Sequence, residues 1–311
     1  MKVKKERKYM FKNIKNELYY QYKSGIILGL LIFILSCSIL TSGIQIYTIK
    51  SSYDGIVRIS KEFALENKDE VLKENISRST YYNEKYKIDI KNHLGTYISS
   101  FGKDLLIIAI CVYAITVSLY DFEKKTIKYK LINIGYLKTN ISKLISITII
   151  TTISVTFALL TYIIITEILK YGINFKEMNL NKIGFNEKLI ENASELNILY
   201  QLLYIYGYTT FFTYIAYFIS QLLFNKTASY ICIIIYFLAI PQFSVWDIKN
   251  QMVNVLFNIV KGSKENFVMS KIIVDDNLTS HIMITTISLV FLMIFFMILN
   301  KRRFYNKQNR V

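Results

Sequence analysis

The sequence predicts an all-α integral membrane protein: six transmembrane helices, an N-terminal interfacial elbow helix, and a small external segment between spans 1 and 2. Three observations predict it. Of 311 residues, 53% are hydrophobic and only one is proline. The apolar residues gather in runs long enough to cross a bilayer, which takes about 20 residues at ~1.5 Å rise each. The net charge of +16 falls in the segments on one side of those runs.

Residues 1–23 carry eight basic and two acidic residues. Phe11, Ile14, Leu18 and Tyr22 recur at helical spacing, so this stretch reads as an elbow helix lying along the inner leaflet. A cleaved signal peptide fits poorly, because the basic region is long and a 25-residue run follows. Span 1 covers 24–48 and contains Gly25-x-x-x-Gly29, a spacing that permits close helix contact. Residues 49–103 form a polar external segment with ten basic and eight acidic residues. Within it Phe63, Val71, Leu72 and Ile76 suggest a charged helix, and 86–91 alternates like a short strand. Such nearly balanced charge disfavours electrostatic capture of a ligand, leaving Phe63, Val71 and Leu72 as candidate cargo contacts.

Span 2 (104–120) leads into the longest internal loop, 121–143, with six lysines against Asp121 and Glu123. Ile127, Leu131, Ile134 and Leu137 recur at helical spacing, predicting an amphipathic surface helix. Span 3 (144–169) is rich in Ser and Thr, read as helix-packing groups. An external loop at 170–197 precedes span 4 (198–223), whose Tyr200, Tyr204, Tyr208, Phe211 and Phe218 form a stripe read as an interfacial anchor. Four residues, 224–227, separate it from span 5 (228–245), where Pro241 predicts a kink. An external loop (246–279), span 6 (280–299) and a basic tail (300–311) complete the chain.

Six spans place both termini on one side. With that side cytoplasmic, the inner segments total 62 residues and hold 20 Lys/Arg against four acids. The outer loops total 117 residues and, with the span ends, hold 18 Lys/Arg against 18 acids. This orientation agrees with the positive-inside rule and places the chain in the cell membrane, multi-pass. Topology accounts for the whole excess charge, so no nucleic-acid partner is required.

The motifs of enzymes are missing. There is no HExxH or GxSxG, and the one Gly-Lys pair, Gly102–Lys103, has Tyr97 where a phosphate-binding loop needs glycine. Cys37, Cys111 and Cys232 fall inside apolar runs without metal spacing, and His93 and His281 stand apart. No catalytic residue, cofactor or metal is expected. No carboxylate sits mid-span, as a proton-coupled carrier would need.

The arrangement resembles the membrane-spanning subunit of a type-2 ABC exporter, a permease family. The resemblance runs through the elbow, the external insertion, six spans, a long loop between spans 5 and 6, and the basic tail. It is most specific in the central loop, where Glu123, Gly135 and Lys143 match the family's acidic residue, glycine and basic residue. The family's proline and arginine are replaced around Tyr136–Asn140. The resemblance implies a permease half, not itself an enzyme, that pairs with itself or a related permease and recruits separate ABC ATPase subunits. Glu123, Lys124, Gly135 and Lys143 would couple it to them, and membrane lipid would surround it. The cargo class implied is an amphiphilic peptide antibiotic, bacteriocin-like peptide or drug. A non-transporting immunity or sensor protein, binding a peptide through 49–103, is the alternative.

Overall fold

A computed structural model describes residues 2–63, 97, 101–172 and 198–238, and scattered helical positions between 280 and 298. The described elements are all helical: α1 (Lys2–Lys23), α2 (Ile26–Phe63), α3 (Phe101–Glu123), α4 (Ile127–Ile134), α5 (Tyr136–Gly172), α6 (Ile198–Leu223) and α7 (Lys226–Leu238). Among the described residues, four helices are long and apolar enough to cross a membrane, within α2, α3, α5 and α6. These are the expected spans 1 to 4. Span 5 is represented by α7, whose 13 residues reach only about 20 Å. Pro241, residues 173–197 of the loop expected at 170–197, the loop expected at 246–279, and the tail lie outside the described residues.

α3 is the central helix. It packs on α2, α5, α6 and α7, and 72% of its apolar window is buried, against 28% for α2. Its sequence explains this: Ile107, Ile110, Cys111, Ala114, Ile115 and Ser118 are small or aliphatic and wholly buried, while one narrow stripe, Leu105, Ile108, Val112, Thr116 and Tyr120, is half-buried. α2 lies at the periphery, with Leu28, Ile32, Phe33, Ile39 and Leu40 exposed.

Hydroxyls set the helix register, as expected of span 3. Thr161 donates to Ser38 and Thr166 to Ser42, each at 3.0 Å, so α5 runs parallel to α2. Thr148 meets Tyr214 at 2.6 Å and Thr156 meets Tyr206 at 2.7 Å, so α6 runs antiparallel to α5. Thr148, Thr152, Thr156 and Thr161 also bond the carbonyl four residues back, which satisfies these hydroxyls without water.

Several boundaries differ from the sequence reading. α2 continues as helix to Phe63, while its apolar stretch ends at Ile44, so residues 49–63 begin the expected external segment as a polar continuation of the span 1 helix. α3 extends three residues beyond each end of the expected span 2, carrying Asp121 and Glu123 into its last turn. The Gly25/Gly29 pair makes no close contact: nothing lies within 4 Å of either glycine's Cβ position. Gly25 instead forms the turn between α1 and α2 at φ +76°, a conformation open to glycine. The close approach falls at Gly102, whose Cβ position is 2.6 Å from Thr41.

The described rings of the span 4 stripe are not interfacial anchors, and the Tyr200 side chain lies outside the described residues. Tyr204, Tyr208, Phe211 and Phe218 are all buried. Tyr204 stacks on Tyr208 at 5.4 Å, and Tyr208 meets Phe212 edge-on at 4.9 Å. Rings at i, i+4 and i+8 share one face, and α3 covers that face.

Candidate functional site

The chemistry of the molecule concentrates at the end of the bundle where α1 meets α2 and α3 meets α4. α3 ends at Glu123, and a turn with Lys125 at φ 57° reverses the chain. Thr126 closes the turn: its amide donates to the Asp121 carbonyl at 2.9 Å and its hydroxyl to Asp121 Oδ1 at 2.9 Å. α4 then lies on the bundle with Ile127 and Leu131 buried.

The expected amphipathic helix is therefore present but shorter. Gly135, at φ 86° and ψ 160°, breaks it. Beyond the break the helical phase shifts: Tyr136 takes the buried position and Leu137 is exposed. Residues 136–143 are the first two turns of α5.

These turns gather four charges. Lys143 Nζ lies 2.7 Å from Asp121 Oδ2 and donates to the carbonyls of Val117 and Ser118 at 3.3 and 3.2 Å. Lys130 Nζ lies 2.8 Å from the same Asp121 oxygen and also pairs with Glu17 of α1. Two carboxylates thus face two ammonium groups, and the cluster is neutral. Asp121 and Lys143 are 3% and 2% exposed, so screening by water is weak. Burial disfavours the charged form of Lys130, but the charges of Asp121 and Glu17 outweigh it and raise its pKa above the ordinary lysine value.

A hydrogen-bonded layer backs the cluster. Gln21 of α1 donates to Ser146 at 2.9 Å and accepts from Tyr113 at 2.6 Å. Asn140 accepts from Tyr217 at 2.6 Å and from Gln221 at 2.8 Å. These groups join α1, α3, α4, α5 and α6. The cluster's four charges hold helices together.

A second junction ties α4 to the short turn between α6 and α7. Glu123 pairs with Lys226 at 2.6 Å. Phe122 meets Phe224 edge-on at 5.0 Å, and both rings pack against Ile127, Leu131 and Tyr136. Phe224 holds φ 50° to do so, an uncommon conformation for a bulky residue.

The structure sorts the sequence candidates. Glu123 is exposed but engaged by Lys226, Lys124 is exposed, and Gly135 forms the break. Lys143 is buried inside the bundle. Phe63 ends α2, while Val71 and Leu72 lie outside the described residues. Asp121, Glu17, Lys130 and Lys226 went unrecognised. Glu17 carried a signal, as an acid three residues after Ile14 and four before Gln21 within a basic helix. Near the opposite end, buried Gln201, Tyr204 and Tyr208 hold polar side-chain atoms without a hydrogen-bond partner, and Lys103 lies 5.5 Å over the Tyr208 ring.

Set against known protein families, characterised proteins and solved structures, the chain matches none.

Proposed function

We propose that the chain is the permease subunit of an ABC transporter, moving an amphiphilic cargo with ATP hydrolysed on a separate subunit. The observation that carries this reading is the mounting of α4. The helix is fixed on its inner face by Ile127, Leu131 and the Lys130 ion pairs, and leaves Tyr129 and Ile132 72% and 78% exposed. A surface helix held this firmly between two spans delivers an applied force instead of absorbing it. The force would reach α3 and α5 through Asp121 and Lys143, and α6 and α7 through Phe224 and Lys226.

On this reading the α4 end is cytoplasmic, and the chain pairs with a second copy or a related permease. Cargo is of the amphiphilic peptide or drug class, by resemblance alone. The test is co-purification from the native host. A Walker-motif ATPase should accompany the wild-type chain in fixed stoichiometry, and Ile132→Asp should lose it while the protein still inserts. Equal recovery with both chains, or no ATPase with either, refutes the assignment.

A further inference from the structure

The outward face of α1 has no part in the cluster, and its composition is unusual. Phe11, Lys15, Tyr19 and Tyr22 follow one another at four-, four- and three-residue steps, so they form a single helical stripe. Phe11 is 68% exposed and Tyr22 75%. Lys12 and Lys23 flank the stripe, both exposed, and the Lys23 ammonium lies 5.8 Å over the Tyr19 ring. Ile14, Glu17 and Gln21 occupy the opposite, buried face. The expected apolar face is therefore divided: Ile14 goes to the core, and Phe11 and Tyr22 face outward. The cause is that Glu17 and Gln21 find their partners in the bundle, which rotates the helix toward them.

That rotation has an electrostatic result. Glu17 is turned inward and neutralised by Lys130, so the described outward positions carry lysines and no carboxylate. The apolar span starts at Ile26, three residues after Lys23, which sets this face at the depth where a bilayer's headgroups begin. Tyr and Phe rings partition to that depth. Lysine stems lie along apolar surface there while their ammonium groups reach outward.

We infer that this stripe binds anionic phospholipid headgroups of the membrane, with Lys12, Lys15 and Lys23 meeting phosphate groups and Phe11, Tyr19 and Tyr22 seated at the boundary between headgroups and acyl chains. The inference is independent of the transporter reading. Three lysines unopposed by acids favour anionic over zwitterionic lipid, by roughly fivefold each at low salt.

The test uses the full chain in neutral detergent, supplied with equal mixtures of phosphatidylglycerol and phosphatidylcholine. Lipid retained through purification is counted, and the unfolding midpoint is measured with each lipid alone. The wild type should raise the ratio of phosphatidylglycerol to phosphatidylcholine at least fivefold over input and gain several degrees from phosphatidylglycerol relative to phosphatidylcholine. Lys12→Gln/Lys15→Gln/Lys23→Gln should return the ratio toward input, with its phosphatidylcholine midpoint unchanged. Lys124→Gln/Lys125→Gln/Lys138→Gln, which alters exposed lysines elsewhere, should keep the enrichment. Phe11→Ser/Tyr22→Ser should weaken retention of both lipids. The inference fails if the wild type shows no lipid preference, as it would were this face built for a protein partner. It fails equally if both lysine triples lose the preference alike.

Discussion

Asp121 and Lys143 meet 2.7 Å apart inside the bundle, although a helix end, a turn, α4 and Gly135 separate them along the chain. The last turn of α3 is thereby locked to the second turn of α5, and α4 has no freedom to swing between them.

Asp121 serves both lysines, so its removal should be the most damaging change at this end. Asp121→Asn leaves two buried ammonium groups short of charge, and breaking a buried pair costs about 3–5 kcal/mol. Glu17→Gln should cost less, because Lys130 keeps Asp121. Thermal unfolding in detergent checks the order. Equal midpoints for the two variants would mean that Asp121 is not the hub.

Glu123 and Lys226 form an exposed pair, with side chains 46% and 27% accessible. Such pairs contribute about 0.2–1 kcal/mol, so neither Glu123→Lys nor Lys226→Glu should unfold the protein. On the proposed transporter reading, each should reduce cargo-stimulated ATP hydrolysis in the assembled complex, and the double exchange should restore it. Failure of the exchange to rescue would assign Glu123 to the partner's surface.

The backbone at Gly135 is the point of strain. Nothing lies within 4 Å of its Cβ position, yet φ is 86° and ψ 160°. Alanine and valine should therefore destabilise alike, by about 1–3 kcal/mol. A fully stable Gly135→Ala protein would show that the break between α4 and α5 does not depend on this conformation.

Lys130 makes a pH prediction. Its folded-state pKa is raised, so its contribution is complete below the ordinary lysine range, about pH 10.4. It is lost as pH climbs through the higher folded value. The stability difference between the wild type and Lys130→Met should stay constant to about pH 10 and shrink above it. A difference that shrank in mildly acidic solution would place the titration on a carboxylate instead.

Orientation is checked by labelling in a background lacking Cys37, Cys111 and Cys232. Cysteine at 132, on the exposed face of α4, should react with an impermeant maleimide only after permeabilisation. Cysteine at 127, fully buried, should react in neither state. Labelling of 132 in intact cells would reverse the topology.

The sequence by itself determined the all-helical class, four apolar helices long enough to cross a membrane, and a surface helix beginning near Ile127. Those features are local: apolar run length and 3.6-residue spacing act within one segment, and no distant partner is needed to read them. It also marked Gly135, because few residues other than glycine suit an interruption between two helical phases. What only the tertiary structure decided is which polar residues face inward. Asp121 and Glu123 are two residues apart, and so lie on nearly opposite sides of the α3 terminus. One is buried against Lys130 and Lys143, the other exposed against Lys226. Span 4's tyrosines are equally suited to a bilayer interface or a core, and the packing of α3 against α6 placed them in the core. A buried charge is tolerable only beside its counter-charge, and these counter-charges come from helices far apart in the chain.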